Sequence, residues 1–334
     1  MYPNHDVACG AGGSAGEITG EESAGGSGNG DRSVAVVSVS DIPGTAFYCS
    51  EEAEAEIGRR IAAGDVDEES GVASKDASDG STGGAKINFL GSGDYHYMTK
   101  ILTDRISRPF SLLQIDNHPD MQPPAFGDIL SCGGWVRNML ETNQFLRTMA
   151  IMGIDPELAG ECGGFSGRVS VLTRDDLGGG IGRSLGSGGT LRSLGSGRTG
   201  RSWEEAAENG NKSGDSRNAE EKAPERRTDF LSDWLDNSLG DNDIYISIDK
   251  DVLSPEFAKT DWSQGSMTLG LLSEILQKAG TKRRVLGVDI CGALPEEKGA
   301  TEEDLKINVS SDAAILRTIS QLFKKEEESR GKEG

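Results

Sequence analysis

The stretch LLQIDNHPDMQPP places Asp116, His118 and Asp120 at alternate positions behind the apolar run Leu112, Leu113 and Ile115. A second stretch, IDKDVLSP, carries Asp249 and Asp251 behind DIYIS, and a third, GSGDYHY, carries Asp94 and His96 behind KINFLG. Asp289 stands near the end of a fourth apolar run, VLGVDICG. A single aspartate at such a place caps a turn or a helix start. A single histidine, likewise, is ordinarily a hydrogen-bonded structural residue. Several carboxylates brought together out of water are costly unless cations neutralise them. No arginine lies within the Asp-His-Asp or the Asp-Asp stretch, so divalent metal ions are the expected source of positive charge. Imidazole mixed with carboxylate suits Mn, Fe or Zn, whereas Ca and Mg favour oxygen ligands throughout. Four carboxylates and two imidazoles exceed the needs of one ion and match two ions that share bridging carboxylates.

These residues can meet only if the elements before them run side by side. Seven apolar or β-branched runs read as strands: 33–39, 86–91, 110–116, 146–154, 168–173, 243–249 and 283–290. Helical patterns lie between them. Ser50 caps EEAEAEIGRRIAA, with acids in the first turn and Ile57 and Ile61 four apart. Residues 97–107 put Met98, Ile101, Leu102 and Ile106 on one face, and 267–279 and 310–325 behave similarly. The strands are continuous apolar runs, as a parallel sheet covered on both faces requires. The expectation is a three-layer α/β/α fold with a mostly parallel sheet, whose ligands gather at the carboxyl ends of the strands.

Large parts of the 334 residues do not fit that sheet. Residues 1–33 form a Gly/Ser-rich tail, 64–85 repeat its character, and 178–228 contain the unit RSLGSG twice. Such segments bury too little apolar surface to offset chain entropy and are expected to be tail and insertions. One α/β domain over 34–323 remains, followed by a charged tail at 324–334. The formal net charge of −21 argues against nucleic acid and anionic membrane as partners and leaves room for metal ions or a cationic small-molecule substrate. No apolar run approaches the roughly twenty residues of a membrane span, and MYPNHDVACGAGG has no apolar signal core. The five cysteines are scattered without a CxxC pair, so a reducing cytoplasm is the expected setting.

Asp116-x-His118-x-Asp120, Ser247-x-Asp249-x-Asp251 and Gly93-Asp94-Tyr95-His96 resemble the three metal-binding motifs of the arginase and agmatinase (ureohydrolase) family, in order and in strand context. The resemblance covers most of residues 86–300 outside the Gly/Ser-rich insertion. It implies two Mn ions per chain, with Fe or Zn as substitutes. One ion would be held by His96, Asp116, Asp120 and Asp249, the other by Asp116, His118, Asp249 and Asp251. Asp116 and Asp249 would bridge, and Asp120 would also orient the attacking water as the catalytic residue. Hydrolysis of a C–N bond in a small guanidino, amidino or amide substrate is the implied activity. Assembly into a homo-oligomer is common in the family.

The chain departs from the family pattern at defined places. Tyr95 is inserted before His96, and Ser254 precedes Pro255 where the family has aspartate. Gly292 stands where a glutamate would grip a guanidinium, three residues after Asp289. The region of the proton-shuttle histidine reads GDILSCGGWV. Ser131, Cys132 and Trp135 in that region, and Asp261, Trp262 and Gln264 in KTDWSQGSM, are candidate pocket residues together with Asp289. Cys132 has no spare histidine to activate it as a nucleophile. Two other readings stay open: a catalytically degenerate metal or ligand binder, and a mononuclear zinc enzyme like the deacetylases that share this fold.

Overall fold

A computed structural model describes residues 34–63, 86–165, 167–178 and 223–330. Strands β1 (Val34–Val36), β3 (Lys86–Phe89), β4 (Phe110–Ile115), β6 (Leu146–Ile154), β7 (Val169–Thr173), β8 (Asp243–Asp249) and β9 (Val285–Cys291) build one sheet in the order β1-β3-β9-β8-β4-β6-β7. Every pairing in it is parallel. All seven strands expected from the apolar runs are present. A small antiparallel pair, β2 (Tyr48–Cys49) with β5 (Leu130–Ser131), lies apart from the sheet.

Alternation along each strand divides the core in two. Leu113, Ile115, Ile246, Ile248, Val288 and Ile290 face one side. There they meet helices α5 (Ala223–Leu239), α6 (Leu269–Thr281) and α7 (Glu302–Arg330), which contribute Leu235, Ile275, Leu276, Ile315 and Ile319. Leu112, Met149 and Ile151 face the other side. Their partners come from α1 (Glu51–Ala63), α2 (Met98–Thr103) and α3 (Trp135–Thr142), including Ile57, Met98, Trp135 and Met139. A short helix, α4 (Arg174–Leu177), follows β7. This is the three-layer α/β/α arrangement, and it explains why the strands read as unbroken apolar runs: both faces are covered. Ser50 does cap α1, its Oγ accepting from the Ala53 amide at 3.2 Å.

Two boundaries differ from the compositional reading. Helix α5 begins at Ala223, inside the segment read as the 178–228 insertion, because its first turns (PERRTD) lack large apolar residues. Helix α7 runs from Glu302 to Arg330, through most of the charged tail. The tail at 1–33, the insertion at 64–85, residues 179–222 and residues 331–334 lie outside the described residues.

In the sheet β3, β9, β8 and β4 are consecutive neighbours, with Phe89 beside Ile290, Asp249 beside Cys291 and Ile248 beside Ile115. Parallel pairing therefore delivers the ends of all four motif-bearing strands to one rim.

Candidate metal centre

Three turns at that rim bring the six ligand-type residues together. Ser92 accepts from the Asp94 amide and starts a 3-10 turn over Gly93–Tyr95, which buries His96. After β4, the Asp116 carboxylate accepts the His118 amide at 2.7 Å through Oδ1, folding the chain back on itself. After β8, Asp249 Oδ1 accepts the Asp251 amide at 2.9 Å and starts a second 3-10 turn, Lys250–Val252. Asp251 in turn accepts the Asn117 amide at 3.1 Å, which ties the β8 turn to the β4 turn. Asp120 adopts φ +50°, a left-handed conformation uncommon outside glycine and typical of functional positions.

Two clusters share Asp116. His96 Nδ1 lies 3.0 Å from Asp120 Oδ2, 3.3 Å from Asp116 Oδ2 and 3.5 Å from Asp249 Oδ2. His118 Nδ1 lies 2.7 Å from Asp251 Oδ2 and 3.7 Å from Asp116 Oδ1. Both imidazoles are oriented from behind, His96 Nε2 by Ser247 Oγ and His118 Nε2 by Ser263 Oγ, each at 2.8 Å. Asp116 Oδ2 also accepts from Gln114 Nε2 at 2.9 Å, and Asp120 Oδ2 accepts from Trp135 Nε1 at 2.6 Å. Ser263, Gln114 and Cys291, whose thiol donates to Asp249 Oδ2 at 3.2 Å, belong to no motif. Gln114 and Cys291 are revealed only by the folded register of the strands, and Ser263 only by the path of the loop after β8.

The site is short of positive charge. Asp116, Asp120, Asp249 and Asp251 are buried, and their ion pairs are with His96 and His118. Lys250 sits between two of the acids in sequence, yet its ammonium reaches Asp312 on α7 at 2.8 Å. Burial opposes a charge on His96, but the hydrogen bond to Asp120 and the fields of Asp120, Asp116 and Asp249 prevail and lift its pKa to about 10. His118 reaches about 11, burial again being overcome by Asp116 and Asp251. Burial, followed by the repulsion of Asp116, pushes Asp120 up to about 7. Asp249 and Asp251 are raised by burial and by neighbouring carboxylates, while Asp116 falls below its usual value because His118 and His96 outweigh burial. Two imidazolium charges among four carboxylates leave a deficit of two, which suits divalent cations in place of the protons.

The cluster forms the floor of a cleft of about 270 Å³ lined also by Phe47, Tyr48, Gln122, Phe126, Glu161 and Trp262. Of the candidate pocket residues, Ser131, Cys132 and Trp262 line it. Burial pushes the Cys132 thiol up to about 12, so it stays protonated. Trp135 lies beneath the floor, fully buried, and holds Asp120. Asp261 pairs with Lys298, which also pairs with Asp94. Gln264 donates to the Leu253 and Ala258 carbonyls, a loop-closing role. Asp289 stays within the layers, its Oδ1 accepting from Tyr245 and Asn88, each at 2.7 Å. Trp135, Asp261, Gln264 and Asp289 are thus not among the cleft-lining residues. Phe47, Tyr48 and Lys298 escaped sequence reasoning because the β2–β5 pairing and the loop after β9, not a motif, bring them here.

No protein-family model matches the chain. An uncharacterized protein of Thermotoga maritima is 25% identical over 231 residues, covering 69% of this chain and 68% of that protein. The agmatine ureohydrolase of Thermoplasma volcanium is similar in structure with a TM-score of 0.47 and 14% identity, covering 90% of each chain. Proclavaminate amidino hydrolase from Streptomyces clavuligerus gives 0.45 and 17%, over 70% of this chain and 64% of that one. Formiminoglutamase of Trypanosoma cruzi, solved with Mn2+, gives 0.46 and 12%, over 84% and 74%. The chain spans less than two thirds of the amidino hydrolase.

Proposed function

We propose that the chain is a divergent member of the arginase and agmatinase family, a metal-dependent hydrolase of C–N bonds other than peptide bonds. The observation that carries this reading is the division of Asp116, which turns Oδ2 to His96 and Oδ1 to His118. Each oxygen joins a separate group, the buried His96 with Asp116 and Asp120, and the partly exposed His118 with the buried Asp116 and Asp251. A donor set of that kind fits two divalent cations. His96, Asp116, Asp120 and Asp249 would hold one, and Asp116, His118, Asp249 and Asp251 the other. Mixed imidazole and carboxylate donors favour Mn, with Fe or Zn as substitutes. When bound, such ions supply the positive charge that brings the pKa of a water molecule toward neutrality.

The chain's own groups do the remaining work. Asp120 accepts a hydrogen bond from the attacking water and orients it, and Trp135 fixes Asp120 for that task. The substrate is a small guanidino, amidino or amide compound. Among the described residues no helix is long and apolar enough to cross a membrane. A cytoplasmic location, which the scattered cysteines support, and a homo-oligomeric assembly, by analogy with the family, complete the proposal.

The test is reconstitution with Mn, with metal analysis and a screen of agmatine, arginine, guanidinobutyrate and simple amides for released ammonia or urea. Two Mn per chain and turnover are expected, both lost in Asp116→Ala. A variant that keeps its metal and its turnover sinks the reading.

A further inference from the structure

Among the described residues six large apolar side chains are strongly exposed: Val34, Val36, Phe47, Tyr48, Phe126 and Val309. The three aromatic ones, at 45%, 49% and 71% exposure, all line the cleft above the metal cluster. Isolated exposed apolar residues need no explanation, but three aromatics around one concave site form a patch of the kind that meets a ligand. Phe47 holds φ +65°, a strained value for a bulky residue, and packs edge-on against Trp262 at 6.1 Å between ring centroids. Strain of that kind persists where the surroundings fix a residue for a task. Trp262 in turn faces His118 at 5.9 Å, so the aromatic wall runs from the mouth to the floor.

Charge is scarce in the rest of the lining. Outside the metal cluster Glu161 is the only charged side chain lining the cleft among the described residues, and no lysine or arginine lines it among them. Lys298 lies over the Phe47 ring, 5.0 Å from its centroid, but its charge is met by Asp94 and Asp261. Above the metal cluster a substrate carboxylate thus meets no unpaired lysine or arginine among the described lining residues. At the end of β9, Gly292 has φ +88°, and a Cβ on it would lie 2.0 Å from Asp249 Oδ1 and 2.8 Å from the Lys250 amide nitrogen. That position is closed to any side chain while Asp249 keeps its place, so no carboxylate can rise from it to grip a cationic reacting group. Four cluster carboxylates balanced by two divalent cations leave a floor near neutrality.

From this we infer that the substrate is an uncharged amide bearing an aromatic or similarly bulky apolar tail, the tail lying against Phe47, Tyr48, Phe126 and Trp262. The inference rests on the metal-centre reading above. Water is the only co-reactant: its oxygen bonds to the carbonyl carbon, the C–N bond breaks, and the nitrogen leaves as the protonated amine while the acyl part leaves as carboxylate. Aromatic contact of the tail supplies affinity without a charged anchor.

The Mn-loaded protein is titrated calorimetrically with acetohydroxamate, phenylacetohydroxamate and chain-matched hydroxamates ending in an amine or a carboxylate. Phenylacetohydroxamate is expected to bind at least tenfold tighter than the other three, and Phe126→Ala to remove most of that margin. Equal or tighter binding of either charged probe overturns the substrate class while leaving the metal centre intact. Absence of metal and of all hydroxamate binding overturns both. Sedimentation of the same variant covers the remaining case. A changed oligomeric state with the tail preference intact makes the aromatic rim a contact between copies and overturns the inference.

Discussion

Ser247 Oγ lies 2.8 Å from His96 Nε2, and that contact leaves Nδ1 as the atom facing Asp116, Asp120 and Asp249. The serine comes from the middle of the buried β8, so the imidazole is oriented by rigid sheet and not by a loop. Groups that orient a ligand histidine in this way typically contribute about 10–100-fold in metal affinity. Ser247→Ala is expected to bind the first Mn that much more weakly, with an unchanged far-ultraviolet dichroism spectrum. Chelator competition measures the affinity, and an unaltered value removes the serine from the centre.

Metal uptake is expected to expel protons. Both imidazoles must be neutral to act as ligands, yet in the metal-free fold His96 titrates at about 10 and His118 at about 11. At neutral pH each carries a proton that an incoming cation displaces. Asp120, pushed up to about 7, and Asp249 and Asp251, both raised by burial and by neighbouring carboxylates, add to that number. Apparent affinity should rise with pH from 6 to 9, by up to about tenfold per unit for each proton displaced. Calorimetry of Mn binding in buffers of different ionisation enthalpy reads the number directly. A count near zero contradicts the charge balance described for the cluster.

How much of this was legible in the sequence depends on whether a residue acts through local pattern or through long-range packing. The seven strands announced themselves because burial on both faces leaves a continuous apolar run, as in FSLLQI. His96, Asp116, His118, Asp120, Asp249 and Asp251 were legible because each follows such a run by one to six residues, and parallel strands end on one rim. Asp289 looked equivalent, but it lies within β9, two residues before Cys291, and meets Tyr245 and Asn88 between the layers. Trp135 read as a candidate pocket residue. It is core by burial and site by its indole N–H, a pairing that composition does not show. The aromatic rim was invisible, since Phe47 and Phe126 are about eighty residues apart and meet through the β2–β5 pair.

Asp289 gives a stability signature with a defined sign. Burial raises its pKa to about 6, against the pull of Tyr245 and Asn88, and Oδ2 has no hydrogen-bond partner. A carboxyl whose folded pKa is raised favours folding while protonated, and that advantage is lost as pH climbs from the unfolded value through the folded one. Asp289→Asn has no such titration and keeps an oxygen for both donors. Its stability relative to the parent should therefore rise between about pH 4 and pH 6 and level off above. The rise is at most about 3 kcal/mol. Denaturant unfolding of the metal-free proteins across that range checks it, and a flat difference would mean that Asp289 titrates normally.

Trp135 and Asp120 provide the sharpest separation of packing from chemistry. The indole N–H donates to Asp120 Oδ2 at 2.6 Å, and its ring lies 4.8 Å from that of His96. Trp135→Phe keeps an aromatic ring in the core but removes the donor, leaving a buried carboxylate short of one hydrogen bond. A lost partner of that kind costs about 1–3 kcal/mol. The same loss favours the protonated acid, so the Asp120 pKa should move further up from about 7. In the metal-free protein the Asp120 titration, followed by carboxyl-carbon NMR, is then expected to shift to higher pH. A purely structural role for Trp135 would lower the melting temperature and leave that titration where it was.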